Sequence, residues 1–206
     1  MNDTLTDITI VLDQSGSMGR VQMDTIGGFN SFVSTQKEAP GEAVLTLREF
    51  SHHHKIVYNT LPIKEVPNLT TADYIPWGYT CLLDAIGYAI DEAGARFSAM
   101  EESERPGKVL LVIMTDGEEN NSRKYDIKTV FEMITRQRDE YQWQIVFIGA
   151  NQDAIKTGRS LGIDDTNSVT YESTPEGTKN VLQEMGDNTV AYRSFSGKPT
   201  KEFFRK

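Results

Sequence analysis

Asp13, Ser15 and Ser17 stand two apart in the stretch Asp13-Gln14-Ser15-Gly16-Ser17, directly after the apolar run Ile8-Thr9-Ile10-Val11-Leu12. One carboxylate and two hydroxyls at the tip of a buried strand are hard oxygen donors, the kind that magnesium, calcium and manganese take. Two later segments carry the same chemistry. Thr80 heads a helical pattern, and Thr115-Asp116-Gly117 closes a second apolar run, Lys108 to Met114. Singly, each has an ordinary reading: Asp13, Ser17 and Thr80 suit helix caps, and Asp116-Gly117 suits a tight turn. On successive loops of one crevice they read together as a metal site made of Asp13, Ser15, Ser17, Thr80 and Asp116.

Other chemistries fit less well. A phosphatase with its nucleophilic aspartate after the first strand needs a second aspartate two residues on, and Ser15 holds that place. No residue can be assigned as the lysine that would neutralise a phosphoryl group. The chain has no Gly-x-x-x-x-Gly-Lys-Ser/Thr phosphate loop, and Asp-Gln-Ser-Gly-Ser-Met-Gly lacks the dinucleotide-binding glycine spacing. A nucleophilic serine would need a nearby histidine, and the three histidines, His52 to His54, fall on a hairpin turn expected at the sheet edge. Neighbours in an extended segment point to opposite faces, so these three are read as a solvent-exposed turn and not as a metal cluster. Cys81, beside Thr80, lacks a partner base and is expected to be buried. Glu118 and Glu119 read as solvated charges on an acidic rim. The chain is therefore expected not to be an enzyme, with a hydrolase or phosphotransferase using the same oxygen site as the alternative.

The elements that must position these oxygens are legible from hydrophobic period. Ile8 to Leu12 and Val109 to Met114 are uninterrupted apolar runs, as in parallel strands covered on both faces. Gln144 to Gly149 is a third, and Asn167 to Tyr171 a shorter one suited to an edge. Ala43 to Phe50 and Lys55 to Tyr58 are separated by so short a turn that they must pair antiparallel. Helical patterns follow Met18, Thr80, Ile127, Asp153 and Thr174. Gly27-Gly28 inside the first implies a close approach of that helix to the sheet. Residues 61 to 79, with Pro62, Pro67, Pro76 and Gly78, read as a long functional loop. The sum is an α/β fold: a doubly wound, Rossmann-like, mainly parallel sheet of about six strands with one antiparallel edge strand and helices on both faces. In such sheets ligands bind outside the carboxyl ends of the strands, where the winding reverses, and Asp13 and Asp116 both fall there.

A net charge of −9 at pH 7 argues against non-specific nucleic-acid binding. The charge is uneven: residues 191 to 206 carry a net +4 from Arg193, Lys198, Lys201, Arg205 and Lys206 against Glu202. The expected division is a domain over 1–190 and a basic tail over 191–206, loosely ordered or docked, with self-assembly through that tail as a second alternative. No apolar run approaches the ~20 residues of a membrane span. With one cysteine and no apolar leader near Met1, the chain reads as cytoplasmic.

Asp13-x-Ser15-x-Ser17, then Thr80 at a helix head, then Thr115-Asp116-Gly117 at a strand end resembles the metal-ion-dependent adhesion site of von Willebrand factor A domains, over roughly residues 5 to 185. The likeness is to the intracellular, bacterial or phage-like type of that family. The resemblance implies Mg²⁺, with Mn²⁺ or Ca²⁺ as substitutes. Ser15 and Ser17 would then be direct ligands, Asp13 and Asp116 would act mainly through waters, and Thr80 would act through its hydroxyl or a water. It also implies a protein partner that supplies an Asp or Glu carboxylate, and intracellular members often serve as adaptors in assemblies with AAA+ ATPases. No nucleic acid or membrane partner is expected.

Overall fold

The computed structural model describes residues 1–150, 153–195 and 202–204. Six strands form one sheet in the order β3-β2-β1-β4-β5-β6. They are β1 (Asn2–Asp13), β2 (Glu42–Phe50), β3 (His54–Pro62), β4 (Pro106–Thr115), β5 (Gln144–Ala150) and β6 (Ser168–Tyr171). Among the described residues only the β2/β3 pair is antiparallel; β1 pairs in parallel with β2 on one side and β4 on the other. The winding reverses between β1 and β4, so the loops after these two strands open onto the crevice where such sheets bind ligands.

Among the described residues five helices cover both faces: α1 (Gln22–Glu38), α2 (Leu82–Ala99), α3 (Ile127–Tyr141), α4 (Ala154–Ser160) and α5 (Pro175–Ser194). Strand alternation sorts the core into two layers. Ile8, Ile10 and Leu12 of β1 face Phe29, Phe32 and Val33 of α1 and Leu182 and Met185 of α5. Val11, with Leu111 and Ile113 of β4, faces Leu82, Ile86 and Ile90 of α2 and Val130 and Ile134 of α3. Because both faces are buried, the central strands carry the unbroken apolar runs that a one-sided sheet could not tolerate.

Three expectations shift on detail. The close approach at Gly28 is to α5 and not to the sheet: a Cβ there would fall on the Leu182 side chain, whereas Gly27 faces open space. The division at residue 190 falls inside α5, which runs to Ser194. Arg193 is buried, its charged form disfavoured by that burial, and it donates to the carbonyls of Gln36 (2.7 Å) and Gly41 (2.9 Å). Its charge is thus spent within its own chain. Phe203 and Phe204 dock in the first core layer, while Lys198, Lys201, Arg205 and Lys206 lie outside the described residues. Finally, residues 61 to 79 are less irregular than their prolines imply, since a short 3-10 turn (Ile63–Glu65) and the buried Val66, Leu69 and Tyr74 anchor them.

Candidate metal site

The three predicted segments meet at the carboxyl ends of β1 and β4. Asp13 closes β1 fully buried; its Oδ1 accepts from the Ser15 backbone N–H (2.6 Å) and its Oδ2 from the Thr115 hydroxyl (2.5 Å). The Ser15 and Ser17 hydroxyls are 3.1 Å apart, and Ser17 Oγ donates to Asp116 Oδ1 at 2.5 Å. Thr80 enters from the head of α2: a Cβ on Gly117 would stand 3.2 Å from Thr80 Oγ1 and 3.9 Å from Ser17 Oγ. A side chain at residue 117 would therefore press into the space the hydroxyls share. All five predicted residues are brought together.

None of the hydroxyls serves as a helix cap. Ser15 holds the N-cap position of the 3-10 turn Gly16–Val21 without a side-chain cap bond. The N-cap position of α2 falls on Cys81, again without one. The α2 terminus is capped from outside: Glu119 Oε2 accepts from Leu83 N (2.9 Å) and Ser122 Oγ from Asp84 N (3.1 Å). Thr80 is thereby relieved of the duty its position suggested. Its backbone is held by Asn120, whose Oδ1 accepts from Thr80 N at 3.0 Å.

The electrostatics suit a cation. Burial raises the Asp13 carboxyl to about 6, against the pull of the Thr115 and Ser15 hydrogen bonds, and the neighbouring Asp116 adds to the rise. Arg20, at 3.3 Å from Asp116 Oδ2, is the one basic group that touches either acid by ion pair among the described residues, and its side chain is largely exposed. Two buried carboxylates and three hydroxyls form an all-oxygen donor set that fits a hard divalent ion. Among the described residues no three His, Cys, Asp or Glu side chains cluster for a metal, because hydroxyls supply the majority of the donors here.

Two walls flank the crevice: the acidic rim expected at Glu118 and Glu119, and an aromatic one that the sequence pattern did not foretell. On one side residues 117–126 form an acidic wall in which Glu118, Arg123 and Lys124 are exposed while Glu119 and the adjoining Asp84 are consumed internally. Glu119 Oε1 accepts from Asn121 N (2.8 Å) and Ser122 N (2.6 Å). Asp84 accepts from Arg123 N (2.9 Å), Lys124 N (2.9 Å) and Tyr125 N (2.8 Å). Burial alone would raise the Asp84 carboxyl, but these three N–H groups hold it below its ordinary value. Glu119 is thus a structural acceptor and not a solvated charge. Cys81 is buried as expected, with Sγ 3.2 Å from Asn121 O and its thiol pushed up by desolvation.

On the other side the hairpin tip packs on residues 75–79. The His52 ring stacks edge-on against Trp77 at 4.2 Å, with His53 5.9 Å from the same ring and Tyr79 6.3 Å from His52. The loop is tied to the oxygen-bearing segment by Trp77 N to Gln14 O (2.8 Å) and Gly16 N to Gly78 O (3.2 Å). Tyr74, fully buried beneath, donates to Asp13 O at 2.5 Å. The histidines are therefore beside the site and not remote from it, although none bonds to Ser15 or Ser17 among the described residues.

A doubly wound sheet with oxygen donors at its winding reversal is a recognisable class of ligand-binding α/β domain. The chain belongs to the von Willebrand factor type A domain family, whose model matches residues 7–187. Members of that family commonly mediate metal-dependent protein interactions and are mostly not enzymes. No match was found among curated protein sequences. Among solved structures, the ArnB paralog VWA2 from Sulfolobus acidocaldarius is similar at 19% identity and TM-score 0.56, covering 89% of this chain and 45% of its own. Proximal thread matrix protein 1 from the mussel byssus, solved with zinc occupying its MIDAS motif, gives 13% identity and TM-score 0.62 over 94% of this chain and 48% of its own. A von Willebrand factor type A protein from Catenulispora acidiphila gives 14% identity and TM-score 0.61 over 92% of this chain and 43% of its own. The chain spans under half the length of each, and at these identities the likeness is one of fold.

Proposed function

We propose that this domain binds a protein partner through a divalent ion, Mg²⁺ in the first instance, held by Ser15, Ser17 and Thr80 with Asp13 and Asp116 in support. The carrying observation is that Ser17 donates to Asp116 across the crevice, with the Ser15 hydroxyl beside it and Thr80 lining the same space at Gly117, while none of the three is spent on capping a helix. Neutral hydroxyls leave a bound ion's charge poorly compensated. Such an ion supplies Lewis acidity toward an external oxygen, and an Asp or Glu carboxylate of the partner is the natural complement. This chain's own groups orient the donors: Thr115 and the Ser15 N–H fix Asp13, and Asn120 fixes Thr80.

Calorimetric titration with Mg²⁺ and Mn²⁺ tests the reading. Saturable binding at concentrations on the order of millimolar is expected, lost in Asp116→Ala and weakened at least tenfold in Ser15→Ala. Absence of binding by the wild-type chain, or retention by a variant carrying both substitutions, removes the assignment. Affinity capture with and without EDTA then reads the partner: proteins released on chelation are the ones the ion holds.

A further inference from the structure

Ten large apolar side chains are exposed among the described residues, and three of them, Ile75, Trp77 and Tyr79, fall within five consecutive residues beside the candidate metal site. Their relative exposures are 55%, 55% and 65%, at alternate positions of one loop. Isolated exposed apolar residues need no explanation, but a grouped aromatic patch beside a binding crevice marks an interaction surface. Trp and Tyr are also the residues that most often carry the energy of an interface.

The patch is rigidly built. Gly78 takes a left-handed φ of +85°, and a Cβ there would run into the His52 ring. The glycine leaves room for the histidine ring against the loop, and the histidine in turn packs edge-on against Trp77. The two backbone bonds from Trp77 and Gly78 fix the patch to Gln14 and Gly16, between the three oxygen-bearing residues of the first loop. A side chain resting on Trp77 and a carboxylate seated at Ser15 and Ser17 are therefore within reach of adjacent positions of one peptide.

Charge decides what kind of peptide. In a chain of net charge −9, residues 74–82 carry no charged side chain, and the hairpin tip opposite them is His52-His53-His54. Asp73, the acid that precedes this stretch in sequence, has its Oδ2 turned into its own loop by Thr70 N (3.0 Å) and Thr70 Oγ1 (2.6 Å). The other wall presents Glu118 exposed. The same wall also exposes Arg123 and Lys124, so an acidic segment meets no charge along the aromatic side and charges of both signs along the other.

We infer that the partner segment carries an aromatic or branched aliphatic side chain next to its metal-seeking carboxylate, and that Trp77 and Tyr79 receive that side chain. The inference rests on the metal-bridged reading above. A dense array of Asp- and Glu-centred heptapeptides, with each flanking position varied through all residue types and probed with the full chain in Mg²⁺, tests it. Phe, Tyr, Trp, Leu or Ile at a flank is expected to raise binding tenfold or more over Gly. Trp77→Ala should erase that preference while leaving calorimetric Mg²⁺ binding intact, and Trp77→Phe should restore it. Mg²⁺-dependent binding with no flank preference, or a preference unchanged in Trp77→Ala and Tyr79→Ala, overturns the inference and leaves the metal reading standing. An array without any acid-dependent signal overturns it too. Binding indifferent to EDTA instead overturns the metal reading, and with it the seat of the carboxylate at Ser15 and Ser17.

Discussion

The two walls of the crevice solve opposite problems with similar lengths of chain. The acidic wall turns its polar groups inward: Asp84 and Glu119 together accept from six backbone N–H groups, one from the head of α2 and five along residues 121–125. The aromatic wall turns apolar surface outward and spends almost none of it on the core. A buried acid on each side sharpens the contrast. Three N–H donors lower Asp84, whereas Glu49, with its side chain inaccessible beneath the aromatic wall, has among the described residues one hydrogen bond from Gln14 Nε2 (2.9 Å) and no hydrogen-bond partner for Oε1. Burial raises its carboxyl to about 7, against the pull of Lys55 at 3.8 Å. One wall thus stabilises the fold, and the other sacrifices stability for exposure.

That division can be broken in order of effect. Asp84→Ala strands three backbone donors and should cost about 3–4 kcal/mol in chemical denaturation at neutral pH. A loss under about 1 kcal/mol would mean that the 117–126 wall holds without it. The penalty should fade as pH drops through the lowered pKa, where the wild-type carboxylate is itself protonated. Glu49→Gln should act in the opposite sense. Because the folded pKa is raised, wild type is favoured in the protonated form and loses stability as pH rises from the unfolded value toward 7. The variant should therefore exceed wild type by about 2–3 kcal/mol at pH 8, with the gap closing below pH ~4.5. An equal or lower melting temperature at pH 8 would show that Gln14 and Lys55 already satisfy the charge. Gly78→Ala, which strains a left-handed position and displaces His52, should cost about 1–2 kcal/mol. It should also disturb the Trp77 fluorescence, and an unchanged spectrum would mean that His52 does not hold the ring.

The legible part of this molecule was whatever a local pattern encodes. Asp13, Ser15, Ser17, Thr80 and Asp116 could be found because each ends or begins an element whose apolar period is strong. Glu119 could not, since its role is to accept from Leu83 N, 36 positions away in sequence, and it looks like any surface acid until the chain is folded. The histidines misled for a related reason. A hairpin at the sheet edge sounds remote, yet its tip folds over the carboxyl ends of the strands and reaches Trp77. The end of α5 was obscured because its inward face beyond Gly186 is made of Thr189, Tyr192 and Arg193, which bury by hydrogen bonding and carry no hydrophobic period.

β1 runs for twelve residues with a parallel neighbour along each side. Opening its amides means tearing both neighbours away at once, so Ile8 to Leu12 should be among the last to exchange hydrogen for deuterium. The loop that begins at Asp13 is therefore tethered to the most slowly yielding point of the domain. Motion elsewhere in the domain should leave that end of the oxygen set in place.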